Sequence, residues 1–328
     1  MNRRYGDQDV EHYDRPRRRT RPRTKERPTF DDAVDALVVT VDRGRYTLLV
    51  DGHQVTAMKT RPLGRKAVVV GDQVRVVGDT SGADGSLARI VEVHERSTVL
   101  RRTADDDDPV ERVIVSNVDQ LVVVVALADP EPRTGLIDRA LVAAYDSGMK
   151  PLLCMTKADL ADPEILLSTY RGLGVDSVVT QRGGDLSELR SRLTEHTSVL
   201  LGHSGVGKST LVNALVPDAG RQTGVVNAVT GRGRHTSTSA LMLPLPGGGW
   251  IVDTPGIRSF GLAHVEPQHL IGAFGDLDEM TEDCPRGCTH GADEPECGLD
   301  KAVADGLIDP DRVDHFRRLL AARSMTEY

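Results

Sequence analysis

The sequence predicts a multidomain chain: an N-terminal all-β barrel, a central α/β unit on a parallel sheet, and a C-terminal, mainly helical domain organised by a metal. Three observations carry this expectation. From Val38 to about Glu95, short strand-like stretches alternate with Gly and Asp turns; from Gln120 onward, apolar runs alternate with helical stretches; and three of the four cysteines fall within fourteen residues, beside His290. At 328 residues the chain is long for one domain and suits two or three, each able to bury a core.

The first element, 1–35, reads as a disordered basic tail. Residues 1–30 hold ten Arg and Lys against five Asp and Glu, so this arm is +5 while the remainder is −13. Its prolines and lack of apolar side chains leave it too little buried surface to offset ordering entropy. It suits contact with phosphate backbones by counterion release, or a plain solubilising role. No apolar run is long enough for a membrane span, and the N-terminus lacks the apolar stretch of a secretory signal. The expectation is a cytoplasmic protein with no membrane partner and, by default, a monomer.

The second element, 36–98, contains "ALVVTVD", "RYTLLVDG", "QVTAMKT", "GDQVRVVGD" and "SLARIVEVHER". Five strands are the complement of an OB-fold, a barrel that often binds nucleic acid. Tyr46 is the lone aromatic among them, so RNA would be met by shape and phosphate rather than base stacking. The stretch 99–112, with aspartates 105–108, reads as an exposed acidic loop or linker.

The third element, 113–262, has the rhythm of a parallel sheet with helices on both faces. Within it Gly202, His203, Ser204, Gly205, Val206, Gly207, Lys208 and Ser209 fit G-x-x-x-x-G-K-[ST], continued by Thr210. The strand "SVLL" before it and the helix "KSTLVNALV" after it supply the setting such a phosphate loop requires. Its amides and the helix N-terminus face phosphate oxygens, Lys208 reaches the β- and γ-phosphates, and the Ser209 hydroxyl suits Mg²⁺.

The base is read elsewhere. Thr156, Lys157, Ala158 and Asp159 follow the apolar run "PLLCM". The Asp159 carboxylate can accept from both N1–H and the 2-amino group of guanine, a pair adenine does not offer. "VTQRGGDL", 179–186, resembles the loop that backs the base. Asp253 and Gly256, in "DTPG", suit a water-mediated metal contact and a γ-phosphate-sensing amide. Thr236, Ser237 and Thr238, in the polar segment "GRGRHTSTSA", are alternative magnesium-side hydroxyls, and the sequence does not choose among them. Ile257 occupies the position where many GTPases carry a water-orienting Gln, so His235 is the candidate for that task; contact with RNA or the fold is its other reading. "TKAD" precedes the phosphate loop, the reverse of the usual order. Because a parallel sheet fixes which strands are neighbours and not their order along the chain, this reads as circular permutation around a preserved site.

The last element, 263–328, carries Cys284, Cys288, His290 and Cys297 as C-x3-C-x-H-x6-C. Three thiolates and an imidazole make a closed tetrahedral set suited to one structural Zn²⁺. Cys154, in an apolar strand, belongs to the core.

Barrel, "TKAD", "GHSGVGKST", "GRHTST", "DTPG" and Cys₃His, in that order, resemble the ribosome small subunit-dependent GTPase A family, RsgA or YjeQ, from about residue 36 onward. The resemblance implies an OB-fold, a permuted GTPase and a zinc domain. It also implies GTP hydrolysis stimulated by the small ribosomal subunit, a part in that subunit's late maturation, contact with its rRNA, a catalytic His235, and zinc on the four residues named. The chain departs from the family's usual C-x4-C-x-H-x5-C and NKxD. Two alternatives are a permuted GTPase of large-subunit assembly and a GTP-binding rRNA scaffold with little turnover.

Overall fold

Period-two burial builds the barrel. β2 (Arg45–Val50) buries Tyr46, Leu48 and Val50, and β3 (His53–Lys59) turns Val55 and Ala57 inward. β4 (Gln73–Gly78) adds Val74 and Val76, and β5 (Ala88–Val93) adds Ala88 and Ile90. β1 (Val34–Asp42) pairs with β2 on one side and β4 on the other, closing the order β1-β2-β3-β5-β4. The β1–β2 and β2–β3 hairpins turn at Arg43-Gly44 (φ 45, 83) and Asp51-Gly52 (φ 46, 83), two-residue loops with positive φ at both positions, as strand twist favours. In the computed structural model, residues 30–64, 68–103, 111–217, 240–254, 265 and 267–322 are described. The basic tail 1–29, aspartates 105–108, His235, Thr236, Ser237, Thr238 and Gly256 lie outside them.

The stretch read as a linker, 99–112, instead contains β6 (Val99–Thr103) and the first residues of its partner strand β7 (Glu111–Ser116). Its charged composition hides the apolar anchor Leu100, which is fully buried, as is Val115 farther along β7. A buried carboxylate roots this hairpin in the barrel. Asp72 accepts from Arg96 Nε (2.7 Å) and Nη2 (2.8 Å), from Ser116 Oγ (2.6 Å) and from the Val69 amide (2.8 Å). Such a group is tolerated inside because every side of it is paired. Gly71 lies beside it at φ 89, where a Cβ would stand 2.0 Å from the Ser116 carbonyl oxygen, so the approach requires glycine.

β8 (Gln120–Ala126) is buried along its whole length, as a central parallel strand must be. β9 (Lys150–Thr156), β10 (Asp176–Val179), β11 (Thr197–Leu201) and β13 (Trp250–Asp253) run parallel with it in the order β10-β9-β8-β11-β13. Alternate residues of β8 face two cores. Leu121, Val123 and Val125 meet α1 (Thr134–Asp146), while Val122 and Val124 meet α3 (Ser187–Leu193) and α4 (Lys208–Leu215). α2 (Glu164–Arg171) follows β9 and packs Leu166 and Tyr170 on the α1 side.

The sheet does not stop at β13. β12 (Leu241–Pro244) pairs antiparallel with it, and β1 of the barrel pairs with β12 at Thr40↔Leu241, giving eleven strands in one sheet among the described residues. Sequence boundaries at 36 and 113 suggest separate sheets, whereas β1 begins at Val34 and serves both cores. Alternation along β1 does this: Ala36 and Val38 face the barrel core, while Leu37 and Val39 face the core beneath α1.

The C-terminal segment is mainly helical: α5 (Pro267–Ile271), α6 (Gly275–Asp278), α7 (Gly298–Ala304) and α8 (Pro310–Ala322). Phe274 stacks edge-on against Tyr145 of α1 (4.7 Å) and Phe316 of α8 (5.6 Å), joining these helices to the core under α1. Asp32–Tyr328 forms one unit by its contacts. Among the described residues no helix is long and apolar enough to cross a membrane.

Candidate nucleotide site and metal centre

β9, β8 and β11 are adjacent, so the loops at their C-terminal ends share one edge of the sheet, where ligands of α/β proteins bind. The phosphate loop leaves β11 at Gly202 and enters α4 at Lys208. At Gly202 a Cβ would lie 2.3 Å from the Val124 carbonyl oxygen, and Gly207 takes φ 99. These two positions require glycine, which lets the loop curl closely against the sheet. Ser204, Gly205, Ser209 and Thr210 are exposed on the rim, Val206 is buried, and His203 is half-buried with Nδ1 3.3 Å from the Ser204 carbonyl oxygen. The Lys208 ammonium donates to the carbonyls of Gly202 and of His203, the latter at 2.9 Å.

Burial pulls the Lys208 ammonium below its usual range, partly opposed by Asp253; burial pushes the Asp253 carboxyl up, partly opposed by Lys208. A partly buried cation and anion thus act on each other beside the end of β13. The neighbouring Thr254, which sequence reasoning did not single out, is buried and donates from Oγ1 to the Leu200 carbonyl (2.9 Å). It ties the start of "DTPG" to the strand that feeds the phosphate loop.

"TKAD" sits across the gap. The Thr156 hydroxyl is 2.6 Å from the Val206 carbonyl oxygen and 3.3 Å from that of Val125, so this buried side chain ties the corner to the phosphate loop. Lys157 adopts φ 58 and donates from Nζ to the Asp129 carbonyl. The Ala158 amide donates to the Thr180 carbonyl (3.2 Å), and the Thr180 amide donates to Met155 (2.7 Å), which brings the start of "VTQRGGDL" under the corner. Asp159 stands exposed at the tip. The structure therefore brings together Thr156, Lys157, Ala158 and Asp159 with the loop 202–210 and Asp253. It adds loop 129–133, whose polar, proline-rich sequence carries no motif that could have flagged it.

Cys284, Cys288, His290 and Cys297 form a cluster whose four donor atoms all lie within 4.8 Å of one another. The three sulfurs are 3.6, 3.6 and 3.9 Å from His290 Nδ1. Tetrahedral zinc, with Zn–S of about 2.3 Å and Zn–N of about 2.1 Å, separates sulfur from nitrogen by about 3.6 Å, so this donor set fits the ion. The Gly298 amide lies 3.1 Å from Cys284 Sγ, and that of His290 lies 3.4 Å from Cys288 Sγ, as donors to thiolates do. Burial and the adjoining sulfurs push the Cys288 thiol up to about 11, a penalty that a divalent cation offsets.

A family model described as RsgA GTPase matches residues 93–263. The small ribosomal subunit biogenesis GTPase RsgA of Pseudomonas aeruginosa is 40% identical over 271 residues, covering 80% of this chain and 78% of that protein. Its namesake in Ectopseudomonas mendocina is 41% identical, covering 80% and 77%. Among solved structures, YjeQ from Thermotoga maritima superposes with a TM-score of 0.66 at 28% identity, covering 89% of this chain and 98% of that one. YloQ, described as a circularly permuted GTPase, gives 0.64 at 25% identity, covering 92% and 100%.

Proposed function

This chain belongs to the RsgA GTPase family, and we propose that it hydrolyses GTP to GDP and phosphate in the biogenesis of the small ribosomal subunit, stimulated by that subunit and acting late in its maturation. The observation that carries the reading is the 2.6 Å contact between Thr156 Oγ1 and the Val206 carbonyl oxygen. It joins a base-reading motif to a phosphate loop that follows it in the chain, as a permuted GTPase site requires.

In this reading the amides of loop 202–210 and the Lys208 ammonium hold the phosphates, and Lys208 stabilises charge as it develops on them. Asp159 reads the guanine edge, with the Lys157 stem across the base. Ser209, Asp253 and one hydroxyl among Thr236, Ser237 and Thr238 would hold Mg²⁺, which neutralises phosphate charge when bound; the Gly256 amide senses the γ-phosphate. Ile257 has no proton to give or take, so His235 orients the attacking water. One Zn²⁺ on Cys284, Cys288, His290 and Cys297 supplies a structural clamp with no open position for chemistry. The barrel and the basic tail face rRNA, and the protein acts in the cytoplasm as a monomer.

His235→Ala is expected to bind GTP as the wild type does and to lose about 100-fold of the turnover seen with small subunits. The check is phosphate release at saturating GTP, with nucleotide affinity measured in parallel. Stimulated turnover surviving in the variant would remove His235 from catalysis.

A further inference from the structure

Helix α8 is bolted to the metal loop on one side and to the nucleotide-binding half on the other. Toward the metal, Arg317 donates from Nε to the carbonyl of the cluster residue His290 (3.2 Å) and pairs with Asp300 through both terminal nitrogens (2.8 and 2.9 Å). Toward α2, Arg312 donates to the Gly172 carbonyl (2.7 Å) and Arg318 to that of Thr169 (3.4 Å), both at the negative end of that helix. Arg318 also ion-pairs with the buried Asp138 of α1 (3.2 Å), and its guanidinium lies 5.1 Å from the centre of the Tyr170 ring.

Tyr170 carries the contact on. Its hydroxyl donates to the Thr134 carbonyl (3.2 Å) at the first residue of α1 and lies against the Asp138 carboxylate. Thr134 is where loop 129–133 ends, and the Asp129 carbonyl at the other end of that loop accepts from the Lys157 ammonium. A continuous chain of contacts thus runs from a residue of the metal cluster to the lysine of "TKAD".

We propose that Tyr170 and Arg318 are positioning residues for the guanine site: they fix loop 129–133, which seats the Lys157 ammonium, so that nucleotide residence time depends on how firmly α8 is docked. The inference rests on the reading of "TKAD" as the base-reading corner. Neither residue belongs to loop 202–210 or to residues 156–159. Loosening α8 therefore frees Lys157 to leave the base without disturbing the phosphate loop or Asp253.

The test is stopped-flow release of a fluorescent GDP analogue from the full, zinc-loaded chain. Tyr170→Phe keeps the ring under Arg318 and removes the hydroxyl's contacts with the Thr134 carbonyl and the Asp138 carboxylate; it is expected to speed release about three-fold. Arg318→Gln removes the ion pair and the cation over the ring, with about ten-fold faster release expected, and Arg318→Lys falls between it and the wild type. Single-turnover hydrolysis of bound GTP and zinc content per chain stay at wild-type values. Release unchanged in both Tyr170→Phe and Arg318→Gln overturns the proposal. So does a slowed single-turnover step in Tyr170→Phe, which would mark general loosening of the site. If Asp159→Asn fails to alter base preference, the reading of the corner falls; if that variant behaves as expected and release is unchanged here, only the positioning role falls.

Discussion

Asp159→Asn is expected to lower GTP affinity by about 10⁴-fold and to create turnover of xanthosine triphosphate. The carboxylate accepts two hydrogen bonds, from N1–H and the 2-amino group. An amide in its place presents a donor to the amino group, and one partner on each side is left unpaired in a site that closes around the base. Xanthine carries a carbonyl at that carbon, which the introduced side-chain amide can meet. Asp159 is exposed and its neighbours hold the backbone through Ala158 and Thr180, so the exchange leaves the fold intact. The check is the affinity and turnover of GTP and xanthosine triphosphate, side by side, for both proteins. An undiminished preference for GTP would show that "TKAD" does not read the base.

Removing the metal is expected to unfold the segment around the cluster. Cys297 is buried and shares a core with Leu277, Leu299, Phe316 and Leu319. At Gly298 the backbone runs so close to the cluster that a Cβ would meet the Met280 carbonyl oxygen at 2.2 Å and Cys284 Sγ at 3.2 Å. Once the ion is withdrawn nothing ties the three sulfurs and His290 together, and zinc bound by such sets contributes on the order of 10 kcal/mol to folding. Purified protein should carry one zinc per chain, and a strong chelator should abolish hydrogen-exchange protection in Gly298–Ala304. Cys297→Ser should do the same without chelator. Protection that persists in metal-free protein would assign the cluster to something other than holding the fold.

Much of the fold and the site is legible in the sequence because the signals are local. The five barrel strands follow from alternation; β8, β9 and β11 follow from apolar runs; and the phosphate loop and Cys₃His cluster follow from spacing. What could not be read depends on partners far along the chain. The hairpin β6–β7 hides Leu100 beside arginines and a run of acids, and its anchor, Asp72, meets Arg96 and Ser116 only through folding. Alternation puts Val38 and Val39 on opposite faces of β1, but nothing local announces that the second face meets a core of its own, or that Thr40 will meet Leu241. By sequence Thr156 is only a departure from the usual NKxD; in the structure its hydroxyl is engaged with the phosphate loop. The Arg318–Asp138 pair joins residues 180 apart in the chain and leaves no trace in either neighbourhood.

Permutation gives these long-range contacts their consequence. The chain passes from Asp253 toward the metal cluster, and that cluster returns through α8 to α2, immediately beyond "TKAD". Both ends of the nucleotide site are thereby linked to the C-terminal helices, one through the chain and one through packing.

Whether this site hydrolyses GTP in answer to the small ribosomal subunit is tested most directly by GTP turnover of the full chain, titrated with purified small subunits and, separately, with large ones. Slow unassisted turnover that rises about ten-fold or more with small subunits, and does not move with large ones, is the expected result. A rise with large subunits alone would contradict it.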